Sequence, residues 1–414
     1  MISPKPSTLK LFNDPVHGFI TAKDKFILNL IDHPYLQRLR RISQLGVAHL
    51  VYPGALHTRF HHTLGAMHLM QMALDVIIAK GNDISSDDYR AAMLAILLHD
   101  VGHGPLSHNL EHAFLPNLSH EDISVLFIKK LNKQYGGELD RALMVFENKT
   151  ELPFLHQLVS GQLDTDRLDY IKRDSFFTGV SEGQISTERI VKMMNISDNN
   201  LVIELKGIYS IEKFIVARRL MYWQVYYHKT VLAAQTMIYN IFSRARFLLS
   251  QNYSIDAPSN LLFFLKNNFS FDEVQGNDDI LNKFALLDDN DVYQALKIWS
   301  TCNDYVLKEL STGLLNRRLF RVEIFGDSET ETANERIRNI KQKISMISDD
   351  VIGYFCGINK ISNSAYKLDE TGIPIIDKKG KVSDISELSD MLNIPIYNHT
   401  VTKSYLYYPK WLVD

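Results

Sequence analysis

Apolar side chains recur at spacings of three and four residues in six segments that precede Arg321. This spacing places apolar groups on one face of a helix, because an α-helix completes a turn in about 3.6 residues. The segments with the helical pattern are residues 25–45, 63–80, 88–98, 120–134, 211–250 and 292–311. Between two of these segments, a short strand pair is predicted near residues 201–206. The chain is therefore predicted to be mainly α-helical.

Beyond Arg321 the pattern changes to a mixture of strand and helix signals. These signals predict a strand over residues 322–325, a charged amphipathic helix over residues 331–348 and strands over residues 365–376. We therefore predict two domains. The first is a helical domain over residues 1–321, and the second is a smaller α+β C-terminal region over residues 322–414.

Composition restricts the class of protein. Hydrophobic residues at 45% and charged residues at 22% are ordinary for a globular chain. A net charge of -3 gives no sign of a nucleic-acid-binding protein, so an anionic ligand would need a local basic cluster. No apolar segment reaches the roughly 18 residues of a membrane span, and no secretory signal is evident, so we predict a cytoplasmic location. The two cysteines, Cys302 and Cys356, indicate neither a disulfide framework nor a thiolate metal site.

The segment LLHDVGHGPLSH, residues 97–108, carries the strongest chemical signal. It follows an apolar run and places His99 beside Asp100. Burying an imidazole and a carboxylate there costs on the order of several kcal/mol unless something compensates, and a divalent metal ion compensates. Successive helix residues point in different directions, so both side chains reach one ion only near a helix end. The glycines and proline of GHGP supply that end.

Two further segments offer metal ligands. YPGALHTRFHHTLG contains the neighbours His61 and His62, and SGQLDTDRLDYIKRD contains Asp164 and Asp166. A six-coordinate ion with borderline preferences takes such nitrogen and oxygen donors. Spacing alone does not choose within either pair. Imidazole and carboxylate ligands suit Fe, Mn, Ni, Zn or Mg, so the identity of the metal stays open.

The order of these motifs resembles the HD phosphohydrolase superfamily and, more closely, the HD-domain deoxynucleoside triphosphate triphosphohydrolases. That family includes a vertebrate enzyme with an added SAM domain and several bacterial enzymes. The resemblance extends from about Lys10 to Lys229, with a weaker match near Arg317. It rests on six ordered blocks: FNDPVHGFI, QRLRRISQLG, YPGALHTRFHHTLG, HDVGHGPLSH, SHED and LDTDRLDYIKRD.

The resemblance implies a helical HD-domain core that hydrolyses deoxynucleoside triphosphates (dNTPs) to a deoxynucleoside and inorganic triphosphate. The implied metal ligands are His62, His99, Asp100 and Asp166. A catalytic cluster of His103, His108, Glu111 and His120 would protonate the leaving alkoxide. Glu111 stands where the family commonly has Asp.

The resemblance also implies the residues that bind substrate: Gln44, Leu45, Arg59, Arg167, Tyr170, Asp174, Arg218, Tyr226 and Lys229. Tyr170 matches an aromatic residue that crowds a 2′-hydroxyl, which predicts rejection of ribonucleotides. Gln44 and Asp174 match groups near the 3′-hydroxyl, and Leu45 would line the same pocket.

Four of the chain's residues, Arg218, Tyr222, Tyr226 and Lys229, fall at positions i, i+4, i+8 and i+11. This spacing predicts that they share one face of a helix. Such a stripe is also typical of a solvated surface, but the resemblance favours contact with the triphosphate and sugar. Tyr222 stands where the family has His, so the resemblance does not extend to one γ-phosphate contact.

A second nucleotide site between subunits is implied by matches at Lys10, Asp32, Gln37, Arg40, Arg317 and Arg321. Such a site implies a homo-oligomer, a dimer or tetramer, that dGTP or GTP activates. The alternative is that these six residues are ordinary surface groups with no ligand.

Two other functions stay open at this point. One is an HD-type phosphatase or phosphodiesterase that acts on nucleoside monophosphates, cyclic dinucleotides or alarmones. The other is a non-catalytic nucleotide-sensing or nucleic-acid-binding module. The complete ligand set favours an enzyme.

Overall fold

The computed structural model describes residues 9–326, 329–344, 347–363, 372–391 and 401–413. Its first helices are α1 (Lys25–Ile31), α2 (Pro34–Arg38), α3 (Arg59–Ala79), α4 (Ser86–Leu98), α5 (Glu111–Phe114), α6 (His120–Gln134), α7 (Asp140–Phe146), α8 (Pro153–Val159), α9 (Thr165–Thr178) and α10 (Thr187–Met193). They are followed by α11 (Ile208–Met221), α12 (Lys229–Ser250), α13 (Ser259–Lys266), α14 (Phe271–Gly276), α15 (Asp278–Phe284), α16 (Asp289–Trp299), α17 (Tyr305–Leu315), α18 (Thr330–Lys343), α19 (Asp349–Ile352) and α20 (Ile385–Leu388). The predicted fold class, mainly α with mixed α and β structure toward the C-terminus, is confirmed.

Several predicted helices have the expected bounds. The segment 120–134 coincides with α6, 88–98 lies within α4, and 63–80 falls almost entirely within α3. The start of α6 is fixed by a capping box, in which the Ser119 hydroxyl accepts from the backbone N–H of Asp122 and the Asp122 carboxylate accepts from that of Ser119. Local sequence therefore determines where this helix begins.

Three longer segments are divided, contrary to an unbroken helical pattern. Segment 25–45 holds α1, α2 and a short 3-10 turn, and Pro34 begins α2. Segment 292–311 is split between α16 and α17, where Asp304 caps the second helix. Segment 211–250 contains α11, a π-helical turn over Tyr222–Tyr226 and α12. A periodic apolar pattern continues through these breaks because each new helix packs on the same core.

The helices that position the candidate site are α3, α4 and α9. The long α3 packs against both α4 and α9, and α4 also packs against α7 and α8. Leu69, Met70 and Ala73 of α3 and Ile96 and Leu97 of α4 are fully or almost fully buried. The ends of these helices are thereby held in fixed positions. Along its length α12 packs against α13, α17 and the C-terminal sheet.

The strands form three small sheets. Their bounds are β1 (Lys10–Asp14), β2 (Gly18–Ala22), β3 (Met194–Ser197), β4 (Asn200–Glu204), β5 (Arg321–Phe325), β6 (Gly357–Asn363), β7 (Pro374–Ile376), β8 (Val382–Asp384) and β9 (Val401–Tyr408). β1 and β2 form an antiparallel hairpin, the second sheet has the order β3-β4-β7-β8, and the third has the order β5-β9-β6. Only the β4–β7 pairing is parallel within these sheets of the described chain.

The strand predicted over 322–325 lies in β5, the strand pair predicted near 201–206 is the β3–β4 hairpin, and the predicted charged helix is α18. Of the strands predicted over 365–376, β7 is present, whereas residues 364–371 lie outside the described residues. The division of the chain at residue 321 stays a prediction. Among the described residues, no helix is both long enough and apolar enough to span a membrane.

Candidate metal centre and substrate pocket

The four predicted metal ligands lie at the ends of three helices. His62 is in the first turn of α3, His99 and Asp100 directly follow α4, and Asp166 is in the first turn of α9. His62, His99 and Asp100 are buried, while the Asp166 side chain is 30% exposed. The packing of α3 against α4 and α9 brings these helix ends together.

Their donor atoms face one small volume. His62 Nε2 lies 3.3 Å from His99 Nε2, 2.9 Å from Asp166 Oδ1 and 3.6 Å from Asp100 Oδ2. His99 Nε2 lies 3.4 Å from Asp100 Oδ1 and 3.5 Å from Asp166 Oδ1. Burial lowers the pKa of His62, but hydrogen bonds to Asp166 and Asp169 outweigh burial and raise it to about 10. The surrounding carboxylates therefore favour positive charge at this point.

The outer nitrogens of the two imidazoles test whether a metal fits. His62 Nδ1 lies 2.7 Å from Asp169 Oδ2, and His99 Nδ1 lies 2.6 Å from the Ile96 carbonyl oxygen. In each neutral ring Nδ1–H donates to that oxygen, so the lone pair is on Nε2. Two such lone pairs facing each other repel unless a proton or a metal ion lies between them, and the raised pKa of His62 reflects the same preference for positive charge. The donor set therefore fits a divalent metal ion, whose identity the ligands do not determine.

The two alternative ligands have other contacts. His61 Nδ1 accepts a hydrogen bond from the backbone N–H of Thr58 and completes the cap of α3. Asp164 caps α9, with its carboxylate accepting from the backbone N–H groups of Arg167 and Gly161. In the structure His61 and Asp164 stabilise helix ends, whereas His62 and Asp166 face the other ligands.

Glu111 organises the predicted catalytic histidines. Its Oε2 lies 2.8 Å from His108 Nδ1, and its Oε1 lies 2.5 Å from His120 Nδ1. Burial raises the pKa of Glu111, but the hydrogen bonds to His108 and His120 outweigh it and lower the pKa below its usual range. An ionised Glu111 thus holds both Nδ1–H groups and leaves each Nε2 available to another partner.

His103 differs from these two histidines. Its ring centroid lies 3.9 Å from that of His120, and its side chain is almost fully buried. Burial and the positive charge of Arg59 hold the pKa of His103 well below its usual range. Arg59 is itself buried and donates to Asp100 Oδ2 at 2.5 Å and to the Ser107 hydroxyl at 2.7 Å.

The metal centre and the histidine cluster open onto one cavity of about 850 Å³. The predicted residues on its wall are Gln44, Leu45, Arg59, Asp100, His103, His108, His120, Asp166, Tyr170, Asp174 and Tyr226. Asp174 is held from two sides, because the Tyr226 hydroxyl donates to Oδ2 at 2.7 Å and His57 Nε2 lies 2.8 Å from Oδ1. The fold therefore brings side chains from motifs that are far apart in the sequence to the wall of one cavity.

Three predicted phosphate-binding residues do not line this cavity: Arg167, Arg218 and Lys229. Arg167 Nε donates to the Gly161 carbonyl and to Asp164. The prediction that Arg218, Tyr222, Tyr226 and Lys229 share one face of a single helix is wrong. A π-helical turn covers Tyr222–Tyr226, and His228 caps a new helix that begins at Lys229. Tyr222 and Tyr226 nevertheless both line the cavity.

The residues predicted to bind an activator fall into separate contacts within one chain. Lys10 Nζ lies 3.1 Å from Asp32 Oδ1, and both side chains are exposed. Gln37 Oε1 accepts from Arg40, while Gln37 donates to the Ile31 carbonyl. The remaining two predicted residues contact other parts of the chain: Arg317 donates to the Leu50 carbonyl, and Arg321 pairs with Glu323.

Some residues at the site were not predicted from the sequence. His57 and His17 are far from the HD motif, yet they contact Asp174 and Asp169. The cavity wall also includes Asn109, Gln235 and three residues of the C-terminal sheet: Asn359, Lys360 and Tyr405. His17 and His57 lie within two of the motif blocks but are predicted to be structural residues, and only the long-range contacts show that all these residues belong to the site.

Comparison with known proteins agrees with this geometry. The family model described as HD domain matches residues 59–172, and that described as HD associated region matches residues 185–256. The crystal structure of a phosphohydrolase from Bacteroides thetaiotaomicron is 46% identical, with a TM-score of 0.90, and the match covers 97% of this chain and 99% of that one. The protein YwfO of Bacillus subtilis is 29% identical over 427 residues, 99% of this chain and 94% of its own length.

Human deoxynucleoside triphosphate triphosphohydrolase SAMHD1 is 30% identical over 266 residues. That match covers 54% of this chain and 42% of the human protein, so it spans less than half of SAMHD1. It falls on the same part of the chain as the HD motif. The chain belongs to the HD-domain phosphohydrolases and is related to the HD core of SAMHD1.

Proposed function

We propose that the protein hydrolyses dNTPs at the α-phosphorus and releases a deoxynucleoside and inorganic triphosphate. One observation carries the proposal: Asp100 and Asp166 of the metal centre line the same cavity as His108 and His120. Ligands for an electrophilic centre and groups that can carry a proton thus meet at one substrate-sized space. The similarity to SAMHD1 supports dNTPs as the substrate class.

A divalent ion held by His62, His99, Asp100 and Asp166 would supply Lewis acidity for phosphoester hydrolysis. In the reaction a water oxygen forms a bond to the α-phosphorus, and the bond from phosphorus to the 5′-oxygen breaks. The leaving oxygen needs a proton to depart as the 5′-hydroxyl of the deoxynucleoside. Because Glu111 holds Nδ1 of both His108 and His120, the Nε2 atoms of these rings are the ones that can deliver it.

The cavity wall also offers groups for the sugar. Gln44 Oε1 is buried and finds no hydrogen-bond donor among the described residues. Gln44 itself lines the cavity, so its side chain is a candidate partner for a substrate hydroxyl. Asp174 is fixed by His57 and Tyr226, and Tyr170 lines the same cavity. This arrangement favours binding of a 3′-hydroxyl near Gln44 and Asp174 and exclusion of a 2′-hydroxyl by Tyr170.

The experiment is to incubate the purified protein with each dNTP, alone and with added dGTP or GTP, and to separate products by anion exchange. Deoxynucleoside and triphosphate in equal amounts are expected, and Asp166→Ala should form neither. Release of pyrophosphate or orthophosphate from dNTPs would overturn the proposal. Turnover confined to nucleoside monophosphates, cyclic dinucleotides or alarmones would show that the HD phosphatase alternative is correct.

We further propose that nucleotide binding at Lys10, Asp32, Gln37, Arg40, Arg317 and Arg321 activates the enzyme by assembling subunits. The family resemblance at these six positions supports this; within one chain Lys10 pairs with Asp32, Arg317 donates to the Leu50 carbonyl and Arg321 pairs with Glu323. A site that uses all six groups would draw them from more than one subunit. An anionic nucleotide at the interface would neutralise the collected positive charge.

A further inference from the structure

The loop that joins Asp100 to His108 holds two consecutive residues in the left-handed backbone conformation. Leu106 and Ser107 each have a φ of +55°, although neither is glycine. This conformation costs free energy for a residue with a side chain, so it persists where surrounding contacts fix it. His108 directly follows these residues, and the backbone of the loop therefore determines where its imidazole lies.

A carboxylate that is distant in the sequence fixes the first of these two residues. Asp289, the first residue of α16, accepts a hydrogen bond at Oδ1 from the backbone N–H of Leu106 at 2.7 Å. Its other oxygen, Oδ2, accepts from the backbone N–H of Ser43 at 2.8 Å. Asp289 is 8% exposed and lies 183 residues after Leu106. It thus joins two segments whose next residues, Gln44 and Ser107, line the cavity.

The second left-handed residue connects this loop to the candidate metal centre. The Ser107 hydroxyl donates to the Ser43 carbonyl at 2.7 Å and accepts from Arg59 Nε at 2.7 Å. Arg59 in turn donates to Oδ2 of Asp100. Ser107, Arg59 and Asp100 are all buried. The position of the Ser107 hydroxyl between these partners depends on the turn that Asp289 holds.

A second side chain connects the same part of the chain to the start of the loop. Arg38 is buried and donates to the carbonyl of Leu287, two residues before Asp289, at 2.9 Å. It also donates to the Val101 carbonyl at 3.2 Å and to the His103 carbonyl at 2.5 Å. The segment that enters α16 therefore holds the loop at its start through Arg38 and at its end through Asp289.

Ser43 depends less on Asp289 than Leu106 does. Ser43 takes part in an antiparallel β-bridge, and the backbone N–H of the next residue, Gln44, donates to the His57 carbonyl. The backbone N–H of Leu106, in contrast, donates to the Asp289 carboxylate itself. Loss of the carboxylate should therefore release the loop and leave the Gln44 side of the cavity in place.

We propose that Asp289 is a positioning residue for hydrolysis: its carboxylate fixes the turn at Leu106 and Ser107 and thereby holds the His108 imidazole where it can deliver a proton. This inference rests on the proposed function, in which His108 is one of the groups that carry a proton. Asp289 does not line the cavity, so it acts through the loop and not on the substrate. A displacement of about 1 Å at a reacting group can cost roughly 100-fold in rate.

The test compares Asp289→Ala with Asp304→Ala in the metal-loaded enzyme. Asp304 is the matched control, because its carboxylate also lies at the start of a helix, is 9% exposed and accepts from a backbone N–H, that of Leu307. Both variants should be less stable, but only Asp289→Ala should lower kcat, by roughly 10- to 100-fold, with its metal content full. In a His108→Ala background the same change should lower kcat less than about 2-fold, because its effect passes through His108.

Hydrogen exchange gives a measurement that does not depend on turnover. Asp289→Ala should speed exchange of the backbone amides of residues 104–109, whereas Asp304→Ala should leave it unchanged. Asp289→Asn keeps one acceptor oxygen and the volume of the side chain, so it should show the same changes to a smaller extent. It takes the place of the alanine variant in each comparison if that variant does not fold.

Unchanged exchange in residues 104–109 would overturn the inference, and so would a kcat equal to that of Asp304→Ala. An equal loss of kcat with and without His108 would also overturn it, since that result identifies a purely structural role. If the wild-type enzyme hydrolyses no dNTP, the proposed function fails, and the exchange measurement alone then decides whether Asp289 holds the loop.

Discussion

Asp169 Oδ2 lies 2.7 Å from Nδ1 of His62, the nitrogen that points away from the candidate metal centre. Asp169 is fully buried and is held in turn by Arg173 Nε at 2.8 Å and by His17 Nε2 at 2.7 Å. Arg173 also pairs with Asp14 of the β1–β2 hairpin. A buried network of charged groups therefore connects the N-terminal hairpin to the orientation of one metal ligand.

Replacing Asp169 should weaken metal binding without removing any ligand. In Asp169→Asn the amide keeps the volume of the carboxylate but loses the charge that orients His62 and increases its basicity. We expect metal affinity to fall roughly 10- to 100-fold, the usual effect of such outer contacts. Titration with a chelator of known affinity measures it. Asp75→Asn is the control, since Asp75 is exposed and accepts a hydrogen bond from the Tyr89 hydroxyl at the surface. Equal affinities in the two variants would contradict the prediction.

Removing a ligand should have a larger effect. His62→Ala and Asp166→Ala should each empty the metal site, because the remaining ligands lose one bond and keep their mutual repulsion. Metal content and activity should fall together, as measured by elemental analysis beside the product assay. His61→Ala should retain the metal, because His61 contributes to the cap of α3. A His62→Ala protein with a full metal complement and normal turnover would show that the ligand assignment is wrong.

Local sequence predicts the parts of the site that depend on neighbouring residues. His99 and Asp100 adjoin in the chain, and glycine and proline follow them, so the end of α4 could be placed from the sequence. The extent of α6 was also predictable, because its capping box lies within four residues. The choice of His62 and Asp166 as the other two metal ligands came from the family resemblance, because spacing alone did not separate them from His61 and Asp164.

Contacts between distant segments could not be predicted in this way. His57 and Asp174 are separated by 117 positions, and their hydrogen bond depends on how α9 packs against the segment before α3. The π-helical turn at Tyr222–Tyr226 interrupts a pattern that fits a single helix equally well. Lys360 reaches the cavity only because β6 pairs with β9 and that sheet packs near α12. Each case requires tertiary structure that apolar periodicity does not encode.

The histidines held by Glu111 should affect turnover more than binding. His120→Ala or His108→Ala removes an imidazole that can supply a proton, so kcat should fall roughly 100-fold or more. Metal content and KM should change little, because neither ring belongs to the metal centre. Steady-state kinetics and metal analysis together check this separation. His156→Ala should keep normal kcat, since His156 bonds the Val145 carbonyl away from the cavity; unchanged kcat in both test variants would remove the proton-transfer role.

Nucleotide activation should increase the molar mass of the oligomer and the catalytic rate together. Binding at an interface stabilises the assembled form by its differential affinity, so added dGTP or GTP should raise the oligomer population and kcat in parallel. The double variant Asp32→Ala with Arg317→Ala should lose this response while its metal site stays filled. Light scattering beside the activity assay decides the question. A mass and a rate that are both indifferent to added nucleotide would exclude the regulatory site and leave the catalytic proposal intact.

The last prediction concerns Gly65, which lies on α3 three residues after His62. A Cβ atom there would be 2.0 Å from Asp169 Oδ1 and 2.2 Å from Arg173 Nη2, and both side chains are buried and fixed by each other. Gly65→Ala must therefore displace the pair, which should lower the free energy of unfolding by about 1–3 kcal/mol, the usual cost of overpacking. Because Asp169 orients His62, metal affinity should fall in the same variant. Gly276→Ala is the control at the end of α14, where a Cβ meets no atom within 4 Å. Urea denaturation of the metal-loaded proteins measures the free energy of unfolding of the two variants. Equal stability of the two would show that the Asp169–Arg173 pair is free to move aside.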